Sequence, residues 1–129
     1  MSKMLINGVL RDKPAQIDGQ FHKMPSGFRN KIDANPSLKH PAALNCYHLY
    51  LSKACPHCHG VKLDLILKGL VEAICITWMD PISHEDGWKI SQSAFDGIQG
   101  VPRNHYLFQA YQRAAPDYTG LISVPILLD

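Results

Sequence analysis

The sequence predicts an α/β fold built on a parallel strand–helix–strand unit, and three observations carry that reading. Cys46–Leu51 and Ile74–Trp78 have strand character, with helical spacing between them. Cys55 and Cys58 stand where the first strand gives way to the helix. Much later, Pro125 interrupts the apolar run Leu121–Leu128. A proline there deletes a ladder donor, which restricts it to a strand start or a special turn, where a cis bond is readily accommodated.

Taken in order, residues 1–45 are rich in Pro, Gly, Asn and Lys and lack sustained periodicity, predicting an extended, irregular N-terminal arm. Residues 46–129 then carry the folded domain. Cys46–Leu51 forms its first strand. Leu63, Ile66, Leu67 and Leu70 recur at i, i+3, i+4 and i+7, predicting a core-facing helical stripe whose end is marked by Lys68-Gly69. Ile74–Trp78 is short, apolar and β-branched, as expected of a strand buried on both faces. Residues 79–103 form a polar insertion with isolated aromatics, longer than the usual connection of about 4–6 residues. Asn104 is placed to cap a second helix with Leu107, Ala110, Tyr111 and Ala114 on one face, closed by Arg113 and Pro116.

With 129 residues, 46% hydrophobic and 19% charged, the composition is that of one folded unit. The formal charge of +2 comes from scattered Lys and Arg with no basic stripe, so a nucleic-acid partner is not implied. No run reaches membrane-spanning length, and Met1–Gly8 lacks the apolar stretch of a secretory signal. The expected setting is cytoplasmic, without a membrane partner, where thiols stay reduced. Four cysteines there are reactive or buried rather than a disulfide framework.

Cys55-Pro56-His57-Cys58-His59 begins a helix, where unpaired N–H groups and the positive end of the dipole favour a thiolate. Cys55 is therefore the candidate nucleophile. Strand, C-x-x-C, helix, strand and a late strand-starting proline is the order of the thioredoxin-like fold, in which that proline is typically cis and faces the reactive cysteine. Cys58, one turn on, is then a candidate resolving thiol. Other readings compete. C-x-x-C-H also marks c-type haem attachment, but that chemistry usually needs an exported chain. Zinc is disfavoured because adjacent residues on one turn cannot all converge and no second ligand pair exists, so no metal is expected. The cysteines can also simply pack as small hydrophobes, the reading preferred for Cys46 and Cys75. His57 and His59 stand beside the thiol and are able to stabilise a thiolate or carry a proton. The dispersed His22, His40, His48, His84 and His105 read as surface or satisfied residues. Trp88, inside a long polar insertion, suggests a binding role.

Several motifs in one order resemble the glutathionyl-hydroquinone reductases, or xi-class glutathione transferases. They are Leu5-Ile6-Asn7-Gly8-Val9, Pro25-Ser26-Gly27-Phe28-Arg29-Asn30, Tyr47-His48-Leu49-Tyr50-Leu51-Ser52, Ala54-Cys55-Pro56, Leu67-Lys68-Gly69-Leu70, Gly87-Trp88 and Pro116-Asp117-Tyr118-Thr119-Gly120 leading into Val124-Pro125. The resemblance spans essentially the whole chain. It implies glutathione as co-substrate and glutathionyl-hydroquinones as substrates. The cysteine attacks the thioether sulfur, hydroquinone leaves, and a second glutathione resolves the enzyme–glutathione disulfide. By position, Cys55 is the nucleophile, Trp88 packs against glutathione, and Val124 before Pro125 pairs with its cysteinyl portion by strand addition. His57 joins them as a candidate glutathione contact.

The chain also departs from that family. After Cys-Pro the family usually has Trp-Ala-His-Arg, where this chain has His57-Cys58-His59-Gly60. The family arginine after the Tyr-Thr-Gly motif is Leu121. Losing one charge-assisted hydrogen bond of roughly 1.5–3 kcal/mol lowers affinity by about one or two orders of magnitude. The family's final strand and helix, with a Glu-Ser pair, and its helical domain lie beyond Asp129. The expectation is thus an incomplete thioredoxin-like domain, truncated after the proline-led strand. Its apolar edge favours self-association or a separate chain supplying the C-terminal helical domain. Cys58 and Leu121 keep two alternatives open: a general C-x-x-C dithiol–disulfide oxidoreductase and a catalytically silent binding module.

Overall fold

The computed structural model describes residues 3–15, 18–20, 22–37, 39–91 and 106–129. In chain order the elements are β1 (Lys3–Ile6), β2 (Val9–Asp12), β3 (His48–Ser52), α1 (Pro56–Leu67), β4 (Cys75–Met79), α2 (Leu107–Ala114), β5 (Gly120–Leu121) and β6 (Ile126–Leu128). β3 and β4 run parallel, from His48 opposite Cys75 to Ser52 opposite Met79, with α1 as the crossover. β6 lies antiparallel on the other side of β3, pairing Tyr50 with Ile126 and His48 with Leu128. The order β4-β3-β6 makes β3 central, which explains why Leu49, Tyr50, Leu51 and Ser52 are all buried. This is the thioredoxin-like arrangement expected of the C-x-x-C and late-proline order, and the Val124–Pro125 bond is cis.

The chain before β3 is more regular than its composition suggests. β1 and β2 form a hairpin through Asn7 and Gly8, whose φ values of 49° and 74° are those of a tight two-residue hairpin turn. β1 also pairs with β5, giving a second sheet of order β2-β1-β5. The turn docks closely on the far end of the chain. Gly8 N–H donates to the Tyr118 carbonyl at 2.9 Å, Asn7 N–H to Thr119 Oγ1 at 2.8 Å, and Gln112 Nε2 to the Gly8 carbonyl at 2.7 Å.

Three expectations about burial are corrected. The stripe Leu63, Ile66, Leu67 and Leu70 is exposed, Leu67 at 82%, whereas Cys58 and Leu65 are buried. Apolar residues occur nearly all round α1, so spacing alone does not choose its face. The chain enters from Cys55 with Cys58 directed inward, and Leu65, two turns on, follows on the same side. β4 is an edge strand rather than a strand buried on both faces, and Cys75 is exposed on it. Cys46 is exposed as well and lies just outside β3, so neither thiol is a packing residue.

α2 begins with Tyr106 as its N-cap, whose N–H donates to Gln109 Oε1 at 3.0 Å, and Arg113 lies in its last turn. The expected cap Asn104 lies outside the described residues, as do residues 92–103 of the insertion and His105. The described part of the insertion is tied down by bridges between Met79 and Ile90 and between Lys89 and Tyr106. No helix among the described residues is long and apolar enough to cross a membrane.

Candidate active site

The site forms where β3 ends. Ser52 is 1% exposed, and its carbonyl accepts from Cys55 N–H at 3.2 Å while its Oγ accepts from Ala54 N–H at 3.3 Å. These two bonds close the turn that delivers Cys55 to the N-cap of α1, with Pro56 in the first turn where a missing N–H is harmless. That turn carries no acidic residue, and the Cys55 side chain caps no N–H, leaving its sulfur directed elsewhere. It lies 3.7 Å from the Val124 carbonyl, immediately before the cis proline. The structure thus joins Cys55, Val124 and Pro125, residues separated by some seventy positions in sequence.

Cys55 is half-buried, whereas Cys58 is 1% exposed. Burial pushes the Cys58 thiol up to about 11, with the Ser52 backbone opposing the shift and the neighbouring Cys55 thiol adding to it. The pair is therefore asymmetric. One sulfur faces the solvent side of the cleft, and the other sits behind it as a protonated thiol. His57 and His59 are exposed on the first turn of α1. Lys53 and Lys62 hold their ammonium groups 5.9 and 5.3 Å from the Trp78 ring centroid, adding positive charge beside this turn. Trp88 is half-buried against the core and fixed through its backbone, its carbonyl accepting from Leu107 N–H at 2.8 Å. Among the described residues no hydrogen bond joins Trp88 or His57 to Cys55.

Sequence reasoning missed the residues that hold Val124 in place. Tyr111 donates its hydroxyl to the Ser123 carbonyl at 2.9 Å and accepts from Ser123 N–H at 3.3 Å, so α2 grips the residue before Val124. Phe28 stacks on Tyr118 with ring centroids 4.9 Å apart and tilts against Tyr111 at 5.6 Å. Gly120 passes so near Tyr118 that a Cβ would come within 2.5 Å of its hydroxyl oxygen. The signal was present as Gly27-Phe28 and Tyr118-Thr119-Gly120, but spacing in sequence gives no hint that these segments meet. A cavity of about 930 Å³ opens on the sheet face that carries His48 and Tyr50, and it borders this site at Phe28, Tyr111, Ser123 and Pro125. Among the described residues no cluster of three or more His, Cys, Asp or Glu side chains is arranged to hold a metal.

No family model matches the chain. It is 35% identical over 136 residues to the glutathionyl-hydroquinone reductase YqjG of Escherichia coli, covering 97% of this chain and 41% of that protein. It is 36% identical to the glutathionyl-hydroquinone reductase PcpF of Sphingobium chlorophenolicum, covering 98% of this chain and 40% of that one. In structure it is similar to a xi-class glutathione transferase from Natrialba magadii, with a TM-score of 0.81 and 32% identity over 99% of this chain and 38% of that chain. Glutathione-bound YqjG aligns with a TM-score of 0.72 over 98% of this chain and 38% of its own. The chain therefore spans about two-fifths of the length of the relatives it matches.

Proposed function

The chain is a homologue of the glutathionyl-hydroquinone reductases and xi-class glutathione transferases, corresponding to their thioredoxin-like N-terminal domain, and we propose from this that it is a glutathione-dependent thiol transferase with Cys55 as its nucleophile. The observation that carries the reading is the Cys55 sulfur at the helix start, 3.7 Å from the carbonyl that precedes the cis proline. A cysteinyl backbone laid along Val124 by strand addition brings its own sulfur to that thiol. Pro125 shapes this edge, Trp88 supplies a flat apolar wall, and His57 contributes a polar contact at the mouth. The substrates are glutathionyl-hydroquinones, in the cytoplasm. The Cys55 thiolate attacks the thioether sulfur, the carbon–sulfur bond breaks, the hydroquinone leaves after taking a proton, and Cys55 retains the glutathionyl group as a disulfide.

A single-turnover experiment tests this. Mixing the reduced chain with a glutathionyl-hydroquinone is expected to release close to one hydroquinone per chain, and Cys55→Ser is expected to release none. Equal release by the two proteins, or none by either, would overturn the reading.

A further inference from the structure

We propose that Cys58 attacks glutathionylated Cys55 from within, so that this chain closes a Cys55–Cys58 disulfide and expels glutathione without waiting for a second glutathione. The inference deepens the preceding reading and rests on Cys55 accepting the glutathionyl group.

Geometry supplies the first argument. Cys55 is the N-cap and Cys58 the third residue of α1, a spacing of about one turn that brings Cα atoms within the range a disulfide spans. The first turn is closed by His59 N–H donating to the Cys55 carbonyl at 3.2 Å, which fixes Cys55 and Cys58 in that relation. Burial supplies the second. Of this pair, only the half-buried Cys55 is open to a glutathione disulfide from solution, because Cys58 is 1% exposed behind it. The order of events follows: Cys55 reacts with the external disulfide, and Cys58 can then reach only Cys55.

A buried thiol with its ionisation pushed up to about 11 is a reluctant nucleophile, with about one in 10⁴ ionised at pH 7. Well-placed intramolecular groups nevertheless reach effective concentrations of about 10⁵ M or more, leaving an equivalent of about 10 M thiolate. Glutathione at ~1 mM, with a thiol near the ordinary value of about 8.5, presents about 10⁻⁵ to 10⁻⁴ M thiolate. The internal attack leads even if imperfect alignment removes a factor of about a thousand. The exchange balances. Oxidised glutathione first transfers one half to Cys55 and releases one glutathione. The Cys58 thiolate then forms a bond to the Cys55 sulfur, the bond to glutathione breaks, and the departing glutathione thiolate takes up the proton that Cys58 lost. Two thiols of the chain are oxidised and one glutathione disulfide is reduced to two glutathiones.

The test compares the reduced full chain with Cys58→Ser and Cys58→Ala after a pulse of oxidised glutathione, using intact mass and peptide mapping. Far-UV circular dichroism identifies which variants are folded. Wild type is expected to carry the Cys55–Cys58 disulfide with little adduct, whereas the folded variants retain glutathione on Cys55, with at least a tenfold longer adduct lifetime. Adduct that persists equally on wild type and variants overturns the role of Cys58 while leaving Cys55 as the glutathione acceptor. Absence of adduct on Cys55 in the variants and of the internal disulfide in wild type overturns both.

Discussion

Cys58 and Ser52 meet the same core from opposite ends of one turn, both 1% exposed, but only Cys58 hides a titratable group. Its ionisation lies near 9.0 when solvated and is pushed up to about 11 by burial, so the folded chain holds that proton more tightly. The sign follows from linkage. The stability contribution is intact below about pH 9 and is lost as pH rises from about 9 to 11. Tyr50, Tyr111 and Tyr118 are also raised by burial and share the alkaline decline. Denaturant unfolding of wild type and Cys58→Ala at several pH values separates the contributions: between about pH 9 and pH 11 wild type is expected to lose stability more steeply than the variant. Parallel curves would show that ionising Cys58 does not strain the fold. The sequence placed Cys55 and Cys58 together because three residues at a helix start fix their relation locally. It could not show that Tyr111 holds Ser123, since that contact depends on how α2 settles on the sheet.

At the level of elements, the β1–β2 turn couples the two ends of the chain. Gly8 has φ of 74°, and a Cβ there would stand 1.8 Å from the Pro116 carbonyl oxygen. Gly8→Ala is therefore expected to lower stability by about 1–3 kcal/mol through backbone strain and the displaced contact, read as a lower urea midpoint with an unchanged slope. An unchanged midpoint would mean the turn does not anchor the fold. Asn7-Gly8 between apolar residues is a hairpin signal that the irregular-arm reading of residues 1–45 passed over, and a single short hairpin in a Pro- and Gly-rich stretch does not declare which strand it will join. β3, α1 and β4 were legible within a residue or two, because a β-branched run and a helix start with Pro at its first position announce themselves locally. The buried face of α1 was not. Leu63, Ile66 and Leu67, with Leu70 just past its end, are exposed yet have the spacing of a core stripe, and only the sheet's position reveals that the core lies on the Cys58–Leu65 side.

Across the whole molecule, the motifs that resemble the xi-class transferases turn out to be each other's contacts. The Asn7-Gly8 turn, Phe28 and α2 converge on Tyr118 and Ser123, and these present Val124 to Cys55. Order in sequence was enough to suggest the fold; the convergence is a property of the folded chain alone. Glutathione binding in this cleft, as proposed, shields Cys55, and the exposed Cys46 and Cys75 provide internal controls. The direct measurement is the rate of alkylation of each cysteine, by peptide mapping, as S-methylglutathione is titrated into the reduced chain. Saturable protection of Cys55 with unchanged rates at Cys46 and Cys75 is the expected result. A Cys55 rate that stays constant, or falls only in step with the other two, would contradict a glutathione site at this thiol.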